Sequence, residues 1–557
     1  MIKKKKVSRK AKKRLQGVRE RISPMEIRKD EAVPDEEFPR RLTEPACRDR
    51  EPEPGKPNES PVEESLPARQ KAGCRRIPWA DLLAVLSIFA VVFVIYSNTY
   101  TVPFVFDDRI NITDNPAVQL ESISWESLSE AAFESPVPSR PLANLTLALN
   151  YYFHKKELPG YHLVNILLHA VNGVLLYFLF AATFRTPALR DSLAGPKTAA
   201  FAGALIWLAH PLQVQSVTYI VQRMNSLATL FYLAAMLFYV GGRRAKTGRK
   251  RYLFWGGCVL SGVAGFLCKE IVLTLPVFLF LYEFFFFRDL DFSWFKRRSV
   301  IGVAAAIIFV ALILVAPKID SILAGYDQRP FTMGQRLLTE PRVVVFHLSQ
   351  FFYPHPYRFN IFHDFSISSS LLAPPATILA IAALFAMAIA ALVVARRHRL
   401  LSFSILWYLG NLAIESSVIP LEIIFEHRNY LPTTFLCLLV TFLIFRWLRE
   451  GKFKRSAPVV ILIAAAVLAG LTYYRNRDWC TEEILLLDSL GKAPRVARTQ
   501  ASLGYALMWQ WRLDEAMQRF RIALRLDPTP GVRERIWKNI DFIEKMKEYP
   551  QGYKHRQ

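Results

Sequence analysis

The chain has 557 residues, is 52% hydrophobic, has a mean hydropathy of +0.19 and carries a formal net charge of +24. That balance excludes an ordinary soluble enzyme and fits a polytopic membrane protein. The basic excess does not point to a nucleic-acid partner. It sits in short runs between apolar segments: Arg243, Arg244 and Lys246; Lys296 to Arg298; Arg396, Arg397 and Arg399; Lys452, Lys454 and Arg455.

Residues 1–76 are rich in Lys, Arg, Glu and Pro and have no apolar period. They hold too little apolar surface to offset the entropy of ordering, so a disordered, charged cytoplasmic tail is expected. Lys3 to Lys6 are not followed by an apolar stretch, so no cleavable signal is expected there. Cys47, Cys74, Cys258, Cys268, Cys437 and Cys480 show no metal-binding spacing and no disulfide framework.

Apolar runs of spanning length follow, at 79–99, 162–184, 198–217, 226–241, 252–267, 271–287, 299–316, 375–395, 401–419, 430–447 and 456–474. They predict an all-α membrane bundle of about 11 spans, because a bilayer crossing needs roughly 20 apolar residues and a helix satisfies its own backbone. With the tail in the cytoplasm, this alternation places every basic run on the cytoplasmic side. It places the loops 100–161, 218–225, 268–270, 317–374 and 420–429 outside, together with everything after 474. The segment 336–354 would break the alternation as a span, and is expected as an amphipathic or re-entrant helix on the outer face.

From residue 497, the residues Leu503, Gly504, Ala516, Phe520, Ala523 and Pro528 fall at the spacing of one tetratricopeptide-type helical hairpin. One repeat does not stand alone, so it is expected to dock on the membrane domain or on a degenerate helix at 479–493, with a capping helix to about 548.

The candidate chemistry gathers in the outer loops. Phe106, Asp107 and Asp108 follow the first span, and then come Arg140 and Pro141. On the second span, His162, Asn165, His169 and Asn172 share one helix face. His210, Arg223, Lys269, Glu270, His363, Asp364, Glu426, His427 and Arg428 complete the set. Each has a plainer reading. The stripe on the second span can be interhelical hydrogen bonding, Lys269 and Glu270 can be a snorkelling pair, and the aspartates can cap a helix. Clustering on one side nevertheless favours a ligand site. A carboxylate at a membrane mouth can deprotonate a hydroxyl or hold a divalent cation, a role that would fall on Asp107 or Asp108. Arg and Lys can bind a lipid-linked phosphate, and Arg140, His162, His210, Arg223, Lys269, Glu270, Glu426, His427 and Arg428 are the candidates for binding the donor phosphate or the rest of the substrate.

The ordered series of motifs resembles the GT-C integral-membrane glycosyltransferases. The closest group is the transmembrane and tetratricopeptide-repeat containing, O-mannosyltransferase-like family and its bacterial relatives. The resemblance rests on Asp107 and Asp108 with Asn115 and Pro116; Arg140 to Leu142; Gly160 to Asn165; His210 and Pro211; Lys269 and Glu270; Arg428 to Pro432; and Arg475 to Trp479. It implies a GT-C-like domain over 77–475 and a soluble repeat-like domain over 476–557. It also implies sugar transfer from a polyprenyl-phosphate donor to a protein hydroxyl or an envelope glycan or lipid. In that family an acidic residue of the first outer loop is catalytic or metal-linked, a role that falls here on Asp107 or Asp108; His210, Lys269 and Arg428 match as donor-phosphate residues. The setting would be a bacterial inner membrane with a periplasmic repeat domain, or the ER membrane in a eukaryote. Two other classes fit the same layout: a non-catalytic scaffold recruiting proteins through the repeat, and a lipid-linked oligosaccharide polymerase or transporter.

Overall fold

The computed structural model describes residues 78–193, 195–298, 300–302, 319–449 and 456–548. The charged segment 1–76, most of the expected span 299–316 and the basic residues Lys452, Lys454 and Arg455 lie outside the described residues. The described part is helical and contains no strand.

The longer helices are α1 (Trp79–Ile95), α2 (Trp125–Phe133), α3 (Pro141–His154), α4 (Leu158–Thr183), α5 (Pro196–Ala209), α6 (Arg223–Arg244), α7 (Gly248–Phe266) and α8 (Leu275–Tyr282). They continue with α9 (Met333–Phe352), α10 (Ala376–Val394), α11 (Arg399–Leu412), α12 (Thr434–Arg449) and α13 (Ala457–Asn476). The chain ends in α14 (Glu482–Lys492), α15 (Ala497–Trp509), α16 (Leu513–Arg525) and α17 (Pro530–Glu548).

Among the described residues, five helical stretches are long and apolar enough to cross a membrane: Leu158–Thr183, Ile220–Arg244, Glu270–Phe287, Ala376–Val394 and Ala457–Trp479. Others beneath the expected spans are shorter. The segment 198–217 is not one helix, because α5 stops after 14 residues at His210 and Pro211 begins a new turn. Proline has no N–H to continue the ladder. Likewise α11 is 14 residues long and ends at Leu412, inside the expected span 401–419.

Close packing holds α4 against α5. A Cβ on Gly173 would lie 2.6 Å from the Leu208 side chain, so a larger residue there would force that side chain to move. The segment 336–354 is the helix α9. It opens with a capping box between Thr332 and Gln335 and buries a polar face that includes Arg336, Glu340, His347 and Gln350.

α15 and α16 pack on each other, with Gly504 seated on the Phe520 ring and Ala516 and Ala523 buried between them. Trp511 takes a positive φ of 61° in the turn that joins them. These helices are tied to the rest of the molecule. Arg109 pairs with Glu482, Arg498 donates to Glu422 at 2.7 Å, and Lys492 donates to the Phe359 carbonyl at 2.8 Å. The docking expected for the C-terminal region is therefore present.

Candidate active site

Loops that are distant in sequence meet at one end of the bundle. The segment after α1 reaches the turn before α6, Arg140 reaches Glu270, and 360–363 reaches Glu426. The opposite end carries its own ion pairs, Lys197 with Asp81 and Arg243 and Arg288 with Glu283.

Asp107 and Asp108 are adjacent but differ in kind. Asp108 is fully buried, and both its oxygens are engaged: Oδ2 accepts from the Val105 amide at 3.0 Å and Oδ1 from the Val221 amide at 2.7 Å. Burial pushes its carboxyl up to about 8, against the pull of those amides, and the neighbouring Asp107 charge adds to the rise. Asp107 is exposed, and its carboxylate has no hydrogen-bond or ion-pair partner among the described residues. Its backbone is fixed instead, the amide donating to Tyr219 Oη at 2.8 Å and the carbonyl accepting from Asn111 at 2.8 Å. Phe106 precedes it with φ at 45°, a conformation that side chains rarely adopt, and packs edge-on against Tyr219 and Phe362. The turn thus buries one acid as a backbone clamp and presents the other.

The cations of the set are mostly partnered inside the protein. Lys269 is buried and donates to Glu415 at 2.8 Å and to Asn225 Oδ1 at 3.1 Å. Burial draws its ammonium below the usual value, and the Glu415 charge opposes that shift. Glu270 does not pair with Lys269; it accepts from Arg140 at 2.9 Å and from Ser139 at 2.9 Å, and both members of this Arg–Glu pair remain partly exposed. Arg428 is buried, donates to the Ile423 and Glu422 carbonyls and lies 3.9 Å from Glu340. Glu340 also faces the fully buried Arg336 at 2.6 Å, and Arg336 binds the Glu415 backbone carbonyl at 2.7 Å. A continuous buried chain of charge therefore runs from Lys269 to Arg428.

His427 contributes its carbonyl, which accepts from Asn225 at 2.9 Å, and its ring lies 3.3 Å from Gln215 Oε1. Glu426 accepts from the Asn360 amide at 2.6 Å and from His363 Nε2 at 3.1 Å. His363 lines a cleft of about 460 Å³ whose wall includes Phe362, the residue packed on Phe106.

The other expected ligand residues hold helices together. His162 donates from Nε2 to the Val102 carbonyl at 2.8 Å. His169 and Asn172 bind Tyr430, Leu208 and Ser226, so the stripe on α4 is interhelical hydrogen bonding. Arg223 is fully buried and spends its fork on Asn165, Asn150 and the carbonyls of Thr146 and Tyr161. His210 stacks on Phe351, binds its carbonyl at 3.0 Å and accepts from the Leu212 amide. Arg223, with four of its five N–H groups engaged and no exposed surface, and His210, with both ring nitrogens engaged, serve the scaffold in this arrangement.

Among the described residues no group of three or more His, Cys, Asp or Glu is arranged to hold a metal ion. Arg336, Glu340 and Glu415 are absent from the sequence-based set. Their signal was available, since ionisable residues in largely apolar segments carry a functional or pairing role by default.

These features define an all-helical protein with helices fit to cross a membrane and with its polar machinery at one end. Its relatives carry a transferase name. The chain is 24% identical to Protein O-mannosyl-transferase Tmtc3 of Drosophila melanogaster over an alignment of 566 positions that covers 87% of this chain and 60% of that protein. It is 25% identical to Protein O-mannosyl-transferase F38B6.6 of Caenorhabditis elegans over 449 residues, 76% of this chain and 60% of that protein. A shorter stretch of 214 residues is 32% identical to Protein O-mannosyl-transferase TMTC4 of Homo sapiens, 35% of this chain and 28% of that one. The chain is thus similar to proteins named O-mannosyl-transferases, and it spans about 60% of the length of the first two. No family model matches it, and no solved structure does.

Proposed function

We propose that the chain is a membrane glycosyltransferase that moves a mannosyl group from a polyprenyl-phosphate donor to a protein hydroxyl on the outer face. The observation that carries this reading is the division of labour at 107–108: a strained turn presents one unpartnered carboxylate while its neighbour is locked inside. The names of the relatives support the mannosyl group and the protein acceptor.

In this mechanism Asp107 accepts the proton of the acceptor hydroxyl as its oxygen attacks the anomeric carbon. The bond between that carbon and the phosphate oxygen breaks, and the polyprenyl phosphate leaves with the bonding pair. Arg140, partly exposed beside Glu270, is the cation best placed to meet the phosphate. Lys269 and Arg428 act from behind as buried charges that hold the loops in register. A groove of about 310 Å³ between α9, α10 and α11 supports a lipid donor: it is lined by Leu337, Val344, Leu384 and Leu409, with Glu340 at its base. The loops that meet at one end support the outward orientation, and the packing of α15 on α16 supports a tetratricopeptide-type hairpin.

Comparative glycan mass spectrometry of membrane and envelope proteins, from cells with and without the chain, tests the reading. A mannose-containing modification should disappear with the chain and should not return with Asp107→Asn. Unchanged glycans in both cases would refute it.

A further inference from the structure

We infer that the cleft between the outer-loop segments and the C-terminal helices binds a short apolar peptide segment flanked by acidic residues. The word acceptor can be attached to that peptide only through the transferase reading above, on which this inference builds.

The cleft has two walls of different origin. Phe331, Phe362 and Ile423 come from the loops, whereas Val496, Leu526 and Val532 come from the C-terminal helices. Its volume of about 460 Å³ lies within the range of ligand-binding clefts. The walls are pinned at fixed separation, because Glu422 accepts from Arg329 on one side and Arg498 on the other. Arg498 also lies over the Phe362 ring at 4.8 Å.

The rim is unbalanced in charge. Three arginines line it, Arg329, Arg498 and Arg535, against two carboxylates, Glu422 and Asp527. Glu422 is shared by two of those arginines, and Asp527 is paired with Arg533 from outside the cleft. Arg535 is exposed and has no carboxylate partner. An apolar floor under an excess of guanidinium groups complements apolar side chains with acidic neighbours. A lipid chain is the poorer match, because the charged rim would have to be desolvated against hydrocarbon.

One wall of the cleft touches the turn that carries the proposed catalytic group: Phe362 packs at 5.2 Å on Phe106, next to Asp107, and His363 is held on the same wall by Glu426.

The test uses the full chain in detergent, without sugar donor, and fluorescence anisotropy. The probes are two labelled peptides with a central Thr between Val and Phe residues, one ending in Glu residues and the other in Lys residues. The Glu-ended peptide should bind about tenfold more tightly. Arg535→Glu, on the exposed surface, should erase or reverse that preference, and Val532→Trp should weaken both peptides by filling the cleft. Equal binding of the two peptides, or a preference unchanged by Arg535→Glu, would overturn the inference. Asp107→Asn should bind like the wild type. Failure of the catalytic reading therefore leaves the charge preference standing, and failure of the cleft leaves Asp107-dependent transfer standing.

Discussion

Replacing Asp108 removes the only side-chain acceptor that the buried amides of Val105 and Val221 have at this turn. A buried donor left without a partner costs about 1–3 kcal/mol, so Asp108→Ala should lose roughly 2–6 kcal/mol near pH 6. Asp108→Asn keeps one acceptor and should lose about 1–3 kcal/mol. Asp107 accepts no hydrogen bond, so Asp107→Asn should leave stability within about 0.5 kcal/mol of the wild type. The effect of pH has a defined sign. The folded protein holds the Asp108 proton up to about pH 8, whereas the unfolded chain releases it near its ordinary value of about 3.9. Stability is therefore lost as pH rises from about 4 to about 8, and Asp108→Asn should remove that dependence. Thermal unfolding of the detergent-solubilised protein, followed by fluorescence-detected gel filtration across this pH range, measures both effects. An Asp108→Ala protein as stable as the wild type, or an Asp107 variant equally destabilised, would refute the division between clamp and presented group.

Glu415→Gln leaves Lys269 as a buried charge without its carboxylate, and should destabilise the protein by about 3–5 kcal/mol, read as a fall in thermal midpoint. Gly504→Leu places a side chain where a Cβ already lies 2.6 Å from the Phe520 ring; it should separate α15 from α16, seen as faster limited proteolysis between 509 and 513, at a cost of about 1–3 kcal/mol. Arg223→Lys keeps the charge but cannot reproduce a fork shared by Asn165, Asn150 and two carbonyls, and should lower expression and thermal midpoint while Arg140→Lys does not.

Much of the helical layout was legible in the sequence, because long apolar runs such as 162–184 and 375–395 leave the backbone no other way to satisfy itself. The C-terminal pair was legible too, since Gly504 and Phe520 stand at repeat spacing and meet in the structure. Helix ends were less so: Pro211 cuts the expected span 198–217 although the run stays apolar across it. The roles within the site were hidden for a plainer reason, that partners lie far apart along the chain. Asp108 differs from Asp107 through the Val221 amide, 113 residues away, and no local pattern distinguishes two adjacent aspartates. Lys269 and Arg428 read as free cations until Glu415 and Glu340 are placed beside them. Several members of the expected one-sided cluster hold the scaffold, as the partners of Arg223, His210 and His169 show.

The central claim is that Asp107 performs proton transfer to which the buried network only lends position. Its most direct test is an in vitro transfer assay with polyprenyl-phosphate mannose and a hydroxyl-bearing peptide, comparing wild type and Asp107→Asn after both are matched for thermal midpoint. The account predicts a loss of about 10²–10⁴-fold in rate with unchanged stability. Transfer by Asp107→Asn at the wild-type rate would contradict it.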